Sequence, residues 1–214
     1  MACAVDKLRL KFSKTGRAVY ISHLDLMRTM QRVFSRAGVA LKYSEGFNPH
    51  AKISIILPLT VGTASFCEYM DFALAEDRNL KELPAVLNAY MPEGIQALEA
   101  YEAPGKGAEL RWLRLTGVMK GGKDAKFYTD FFAQPSILVT HRAKRGDRTD
   151  DIAPSIKLAK FTDTADGVEA EVIVHAQEPT VSPELMMAAL GEDAPSYFRF
   201  TRLEAFKEDM TAFR

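Results

Sequence analysis

Hydrophobic and polar positions change period several times along the chain, and each change marks an element. Val5, Lys7, Arg9 and Lys11 alternate with Asp6, Leu8, Leu10 and Phe12. That period of two predicts a half-buried strand. Residues 14–17 read as a turn, and 18–21 as a strand extension or a lead into a helix. Ser22 then supplies a helix N-cap, with Asp25 three positions on as a capping-box variant. At about 100° per residue, Leu26, Met27, Met30, Val33, Phe34 and Ala37 fall on one helix face and Arg28, Arg32 and Arg36 on the other. Gly38 stands where a left-handed residue closes a helix.

Residues 39–52 begin apolar and turn into a loop at 44–50. Strands are predicted at 52–59, at 66–74 with polar groups on both faces, and at 94–104. A helix is predicted over 78–91, with Pro84 in its first turn or breaking it. Residues 104–107, Pro-Gly-Lys-Gly, form the best linker. Beyond it the pattern recurs: strand 110–118, helix 123–134, strands 136–144 and 154–163 joined by a loop, strand 168–177, helix 182–190 and strand 197–206. In the last helix Ser182 is the cap and Pro183 takes the first position. Both halves therefore read β-α-β-β-α-β, the second with room for one extra strand. The expected fold is α+β: two tandem ferredoxin-like (βαββαβ) units with antiparallel sheets, over 1–107 and 108–214.

Composition adds exclusions. The 214 residues are 47% hydrophobic and 26% charged, as in ordinary globular chains. No window approaches the ~18 apolar residues of a membrane span, so no membrane partner is expected. Charges near the N-terminus replace the apolar block of a signal peptide, which predicts a cytoplasmic protein. Cys3 and Cys67 are too few for an iron–sulfur cluster or a Cys-rich zinc site, and Cys67 reads as a small buried strand residue. His23, His50, His141 and His175 show no i, i+4 metal spacing, so neither metal nor cofactor is expected. There is no phosphate-binding loop, dinucleotide fingerprint, zinc-protease motif or nucleophile elbow.

Net charge is zero, but the charges are segregated. Residues 1–60 hold ten Lys/Arg against three Asp/Glu, and 61–109 hold three against nine. Residues 110–160 hold eleven against five, and 161–214 four against eleven. Two basic faces are thereby available to a polyanion.

Candidate chemistry concentrates in residues 20–52. Arg28, Arg32 and Arg36 form a row suited to phosphates. Only Asp25 shares their face, so the row is expected to lack partners within the helix. His23 opens the helix, where an imidazole suits general acid/base work. Tyr43, Phe47, His50 and Lys52 mix aromatic and cationic groups around Gly46 and the Asn48-Pro49 turn, a pattern suited to single-stranded nucleic acid. The alternative is a loop tucked over the sheet with Phe47 in the core. Residues 141–150 form a basic, hairpin-like loop in the second half.

The run Tyr20, Ser22-His23-Leu24-Asp25, Arg28, Arg32, Arg36, Tyr43-Ser44, Gly46-Phe47-Asn48-Pro49-His50, Lys52-Ile53-Ser54 resembles the radical SAM-associated (radical SAM-linked) protein family. Gly62, Glu68 and the Thr149–Pro154 stretch continue the resemblance, which departs at Ala153, where an arginine is often expected. The resemblance implies a cobalamin-type radical SAM enzyme as partner. This chain lacks the three-cysteine cluster motif of that enzyme and is not it. Tandem ferredoxin-like units with a histidine near the first helix also resemble the CRISPR repeat-RNA processing endoribonucleases. The leading expectation is an RNA-binding or substrate-presenting accessory module, leaning away from enzyme, with Ser22, Arg28, Arg32, Arg36, Tyr43, Phe47, His50 and Lys52 on the RNA. The alternatives are a metal-independent endoribonuclease using His23 and a protein-only scaffold for the partner.

Overall fold

The computed structural model describes residues 7–143 and 146–214. Cys3, the start of the first predicted strand at Val5 and Asp6, and Lys144 and Arg145 of the basic loop lie outside them. The fold is α+β, and the chain divides into two units, one running to Gly107 together with Arg214, the other Ala108–Phe213.

The first unit contains β1 (Leu8–Lys14), α1 (His23–Arg36), β2 (Ile53–Ile56), β3 (Ala64–Phe72), α2 (Leu83–Asn88) and β4 (Ile95–Glu102). The strands lie in the order β4-β1-β3-β2, and every pairing among them is antiparallel. Leu8, Leu10, Phe12, Met70 and Phe72 form one core with Leu26, Met30 and Phe34 of α1 and Leu83 and Leu87 of α2. Burying each such side chain contributes about 1.5–3 kcal/mol.

β1 is not half-buried. It is flanked by strands on both edges, and Arg9, Ser13 and Lys14 are buried along with its apolar residues. Alternation signals which face a residue is on, not whether that face meets water. Arg9 is tolerated because its guanidinium is fully engaged. Nε donates to Asp71 Oδ1 at 2.6 Å and Nη2 to Asp71 Oδ2 at 3.2 Å, while Nη2 also donates to the Gly105 carbonyl.

Residues 16–20, Gly16–Tyr20, form a 3-10 turn rather than a strand extension. α1 starts as its capping box predicts, with Ser22 Oγ accepting the Asp25 N–H at 3.2 Å, and Gly38 follows it at φ +65°. α2 is shorter than the predicted 78–91. Asn79 bonds its own neighbourhood instead, accepting the Lys81 N–H, and Pro84 enters at the first turn.

The second unit contains β5 (Trp112–Lys120), α3 (Ala125–Phe132), β6 (Leu138–Ala143), β7 (Gly146–Asp151), β8 (Ile156–Thr164), β9 (Gly167–His175), α4 (Pro183–Ala189) and β10 (Tyr197–Phe206). Its sheet runs β10-β5-β9-β8, antiparallel throughout, and β6 and β7 pair only with each other. Tyr128 and Phe132 of α3 pack on Phe161 of β8.

The loop expected between the strands at 136–144 and 154–163 contains β7. Its residues are exposed and polar, so no apolar alternation reveals it. Backbone pairing and the Thr140–Thr149 hydroxyl contact at 2.8 Å hold it instead. Asp151 closes the hairpin by accepting the Ile137 N–H at 2.8 Å and the Ala153 N–H at 3.1 Å.

Candidate nucleic-acid interface

Residues 41–52 fold back on themselves. Leu41 bridges Leu74 and Tyr43 bridges Ala51. Ser44 N–H donates to the His50 carbonyl, Ser44 Oγ accepts the His50 N–H, and Lys52 N–H donates to the Lys42 carbonyl. Lys42 and Lys52 are tied in turn to Ala73, immediately beyond β3. The result is a stem anchored to the sheet and a tip at 45–49, with Gly46 at φ +116° making the turn.

Phe47 does not enter the core. At 112% relative exposure it is fully in solvent at the tip, and Tyr43 on the stem is 56% exposed. His50 and Lys52 are exposed beside them. His50 Nδ1 lies 2.9 Å from the Asn48 carbonyl, so the tautomer protonated there donates inward and leaves Nε2 to accept.

The arginine row is not uniformly unpaired. Arg28 Nη1 sits 3.1 Å from Asp25 Oδ1, and Ser22 Oγ donates to the same carboxylate at 2.8 Å. The Ser22 bond, followed by Arg28, holds the Asp25 carboxyl below its usual range. Arg32 and Arg36 are exposed and form no ion pair among the described residues. They line a groove of about 330 Å³ with Thr29, Val33 and Tyr90-Met91-Pro92. Tyr90 is 45% exposed. Local sequence pattern gave no reason to join Tyr90 to the arginines, because it follows α2 and meets α1 only through tertiary packing.

His23 stands elsewhere. α1 has 14 residues, a length of about 21 Å. Its first turn follows Lys14, which pairs with Ser65 at the start of β3, whereas the hairpin hangs from Ala73 and Leu74. That is some nine residues of extended chain, about 30 Å. Ser22 and His23 therefore sit at one end of the first unit and Tyr43, Phe47, His50 and Lys52 at the other. His23 Nδ1 is buried with no hydrogen-bond partner. Beneath this end, Lys14 Nζ donates to the Ile21 carbonyl at 2.7 Å and the Val19 carbonyl at 3.3 Å. Burial lowers the Lys14 pKa, and nearby Glu68 opposes that shift.

Residues 7–183 match the family model described as "Uncharacterized protein conserved in bacteria (DUF2344)". The chain belongs to the DUF2344 family. No curated protein matches it. The DUF2344 match takes in both ends of α1, the hairpin, the arginine groove and the β6–β7 pair, and stops at the first residue of α4. Among the described residues of this DUF2344 chain, no helix is long and apolar enough to cross a membrane. Among the described residues no group of three or more His, Cys, Asp and Glu is placed to hold a metal ion.

Proposed function

We propose that the chain is a cytoplasmic, RNA-binding accessory module that presents RNA to a cobalamin-type radical SAM enzyme in RNA modification or processing. Phe47 is the observation that carries the RNA half. An aromatic ring held wholly in water on a hydrogen-bonded hairpin gains free energy when something flat and apolar covers it. Unstacked bases do so; Tyr43 and Lys52 on the same hairpin add stacking and a phosphate contact, and the exposed Arg32 and Arg36 of α1 offer further phosphate contacts. The partner half rests on the resemblance of the 20–54 motif to the radical SAM-associated family. The strand orders β4-β1-β3-β2 and β10-β5-β9-β8 support reading the two units as tandem ferredoxin-like folds.

Filter binding to tRNA and single-stranded RNA across a salt series tests the RNA half. Affinity should fall steeply with salt, and Phe47→Ala should weaken it about five- to a hundredfold. Affinity no greater than that of a charge-matched control protein would sink the reading.

The endoribonuclease alternative draws on the unpartnered Nδ1 of His23. Its assisting groups Tyr43 and His50 are at the far end of α1, which favours binding over cutting. RNA cleavage in chelator, abolished by His23→Ala, is the result that would reverse this preference. If the partner enzyme is captured equally well after RNase treatment and no RNA binds, the chain is a protein-only scaffold.

A further inference from the structure

The second unit carries a groove of about 860 Å³ on the sheet face turned away from α3. Its volume lies within the range of small-molecule sites. Cross-strand register places its side chains in rows. Phe161, Ala170, Gly117 and Phe200 align on the α3 face. A Cβ on Gly117 would come within 2.6 Å of Phe200 Cδ1, so the floor is tightly packed from below.

On the open face, Tyr197 pairs with Lys120, and Arg199, Val118 and Glu169 form the next row. Thr201 and Thr116 follow. Arg199 and Glu169 are two strands apart, about 10 Å. The β10 wall carries Tyr197 and Arg199, and Lys120 stands on the central strand β5 between that wall and the β8–β9 turn. The other wall, formed by Glu169 and Asp166 at the β8–β9 turn, is anionic. Gly167 keeps this turn close, since a Cβ there would collide with the Met119 carbonyl oxygen and meet Lys120 Cγ at 3.2 Å.

The charges in this groove are unspent. Further along the same face, Arg114 neutralises Glu171 at 2.8 Å and Glu204 at 3.2 Å. Lys120, Arg199, Asp166 and Glu169 form no ion pair among the described residues, and all four are exposed. Tyr197 is 49% exposed between the cations.

We propose that this groove binds a nucleoside phosphate whose base carries an exocyclic amine, either free or as one nucleotide of single-stranded RNA. The phosphate lies on Lys120 and Arg199, the base stacks on Tyr197, and the amine donates to Glu169 or Asp166. Charge complementarity selects this occupant: a ligand anionic at both ends meets the carboxylates, and one cationic at both ends meets Lys120 and Arg199. The proposal is independent of the hairpin in the first unit.

Calorimetric titration of the full chain with CMP, UMP and oligocytidylate tests it. CMP should bind more tightly than UMP, which lacks the amine. The double variant Lys120→Ala, Arg199→Ala should weaken CMP about tenfold or more, and Tyr197→Ala about five- to a hundredfold. The double variant Glu169→Leu, Asp166→Leu, which removes both acceptors, should erase the preference for CMP over UMP. Lys126→Ala on α3 is the charge control and should change nothing. Oligocytidylate binding much tighter than CMP identifies RNA as the source, and equal affinity per site identifies the free nucleotide. The proposal is overturned by absence of heat with all three ligands, by equal CMP and UMP affinities, or by binding indifferent to the Lys120/Arg199 variant.

Discussion

Arg9 is the largest wholly buried side chain of the described residues, and Asp71 is its ionic partner. Asp71 also pairs with Lys7 at 2.8 Å, so its loss removes the carboxylate from two cations, one of them wholly buried. Asp71→Ala should therefore cost about 3–5 kcal/mol in urea unfolding, whereas Arg9→Met with Asp71→Leu should recover most of that loss. Tyr101 shares this face of the sheet, paired in register with Arg9. Burial, partly offset by Arg9 and Arg214, pushes the Tyr101 phenol up from 10.0 to about 12. Burial pushes Tyr69 up further still. The fold favours the neutral phenols, so the contribution of Tyr101 is complete below pH 10 and is lost as pH rises through about 12, and that of Tyr69 is lost at higher pH still. Tyrosinate absorbance should show a late phase from Tyr69 and Tyr101, with unfolding accompanying it. None of this was legible in the sequence, where Arg9 and Asp71 look like polar positions of half-wet strands. Their burial depends on a pairing 62 residues apart.

At the scale of elements, legibility followed local chemistry. α1 was readable because cap, apolar stripe and closing glycine agree within one segment, and β10 because its apolar residues and flanking turn do. β7 was not readable, since its strand form comes from pairing with β6 alone. Ser22→Ala should cost about 1 kcal/mol of stability by thermal unfolding. It also releases Asp25, whose carboxyl should then titrate closer to its usual value by NMR. Asp151 behaves similarly in the hairpin. The Ile137 N–H, first among its donors, holds its carboxyl below the usual range. That support is complete above the ordinary carboxylate pKa and is lost as pH falls through the lowered one. Protection of the Ile137 amide should drop in acid, and should be absent at all pH values in Asp151→Ala.

For the molecule as a whole, segregated charge under a net charge of zero predicts polyanion binding that tracks particular segments rather than total charge. Arg32→Ala with Arg36→Ala should reduce the slope of log affinity against log salt by about two. A matched double substitution at Arg114 and Lys126, which are already ion-paired, should leave it unchanged. The succession of strands and helices in each unit, β7 apart, was visible in the pattern along the chain. The separation of the motif was not, because a helix read residue by residue carries no sense of its own length. α1 works here as a spacer. A short oligonucleotide confined to the Phe47 hairpin leaves the Ser22–His23 end clear, so one chain has room for two occupants at once. RNA on the hairpin and a protein at the helix start should bind additively in a ternary titration, each with the affinity it shows alone.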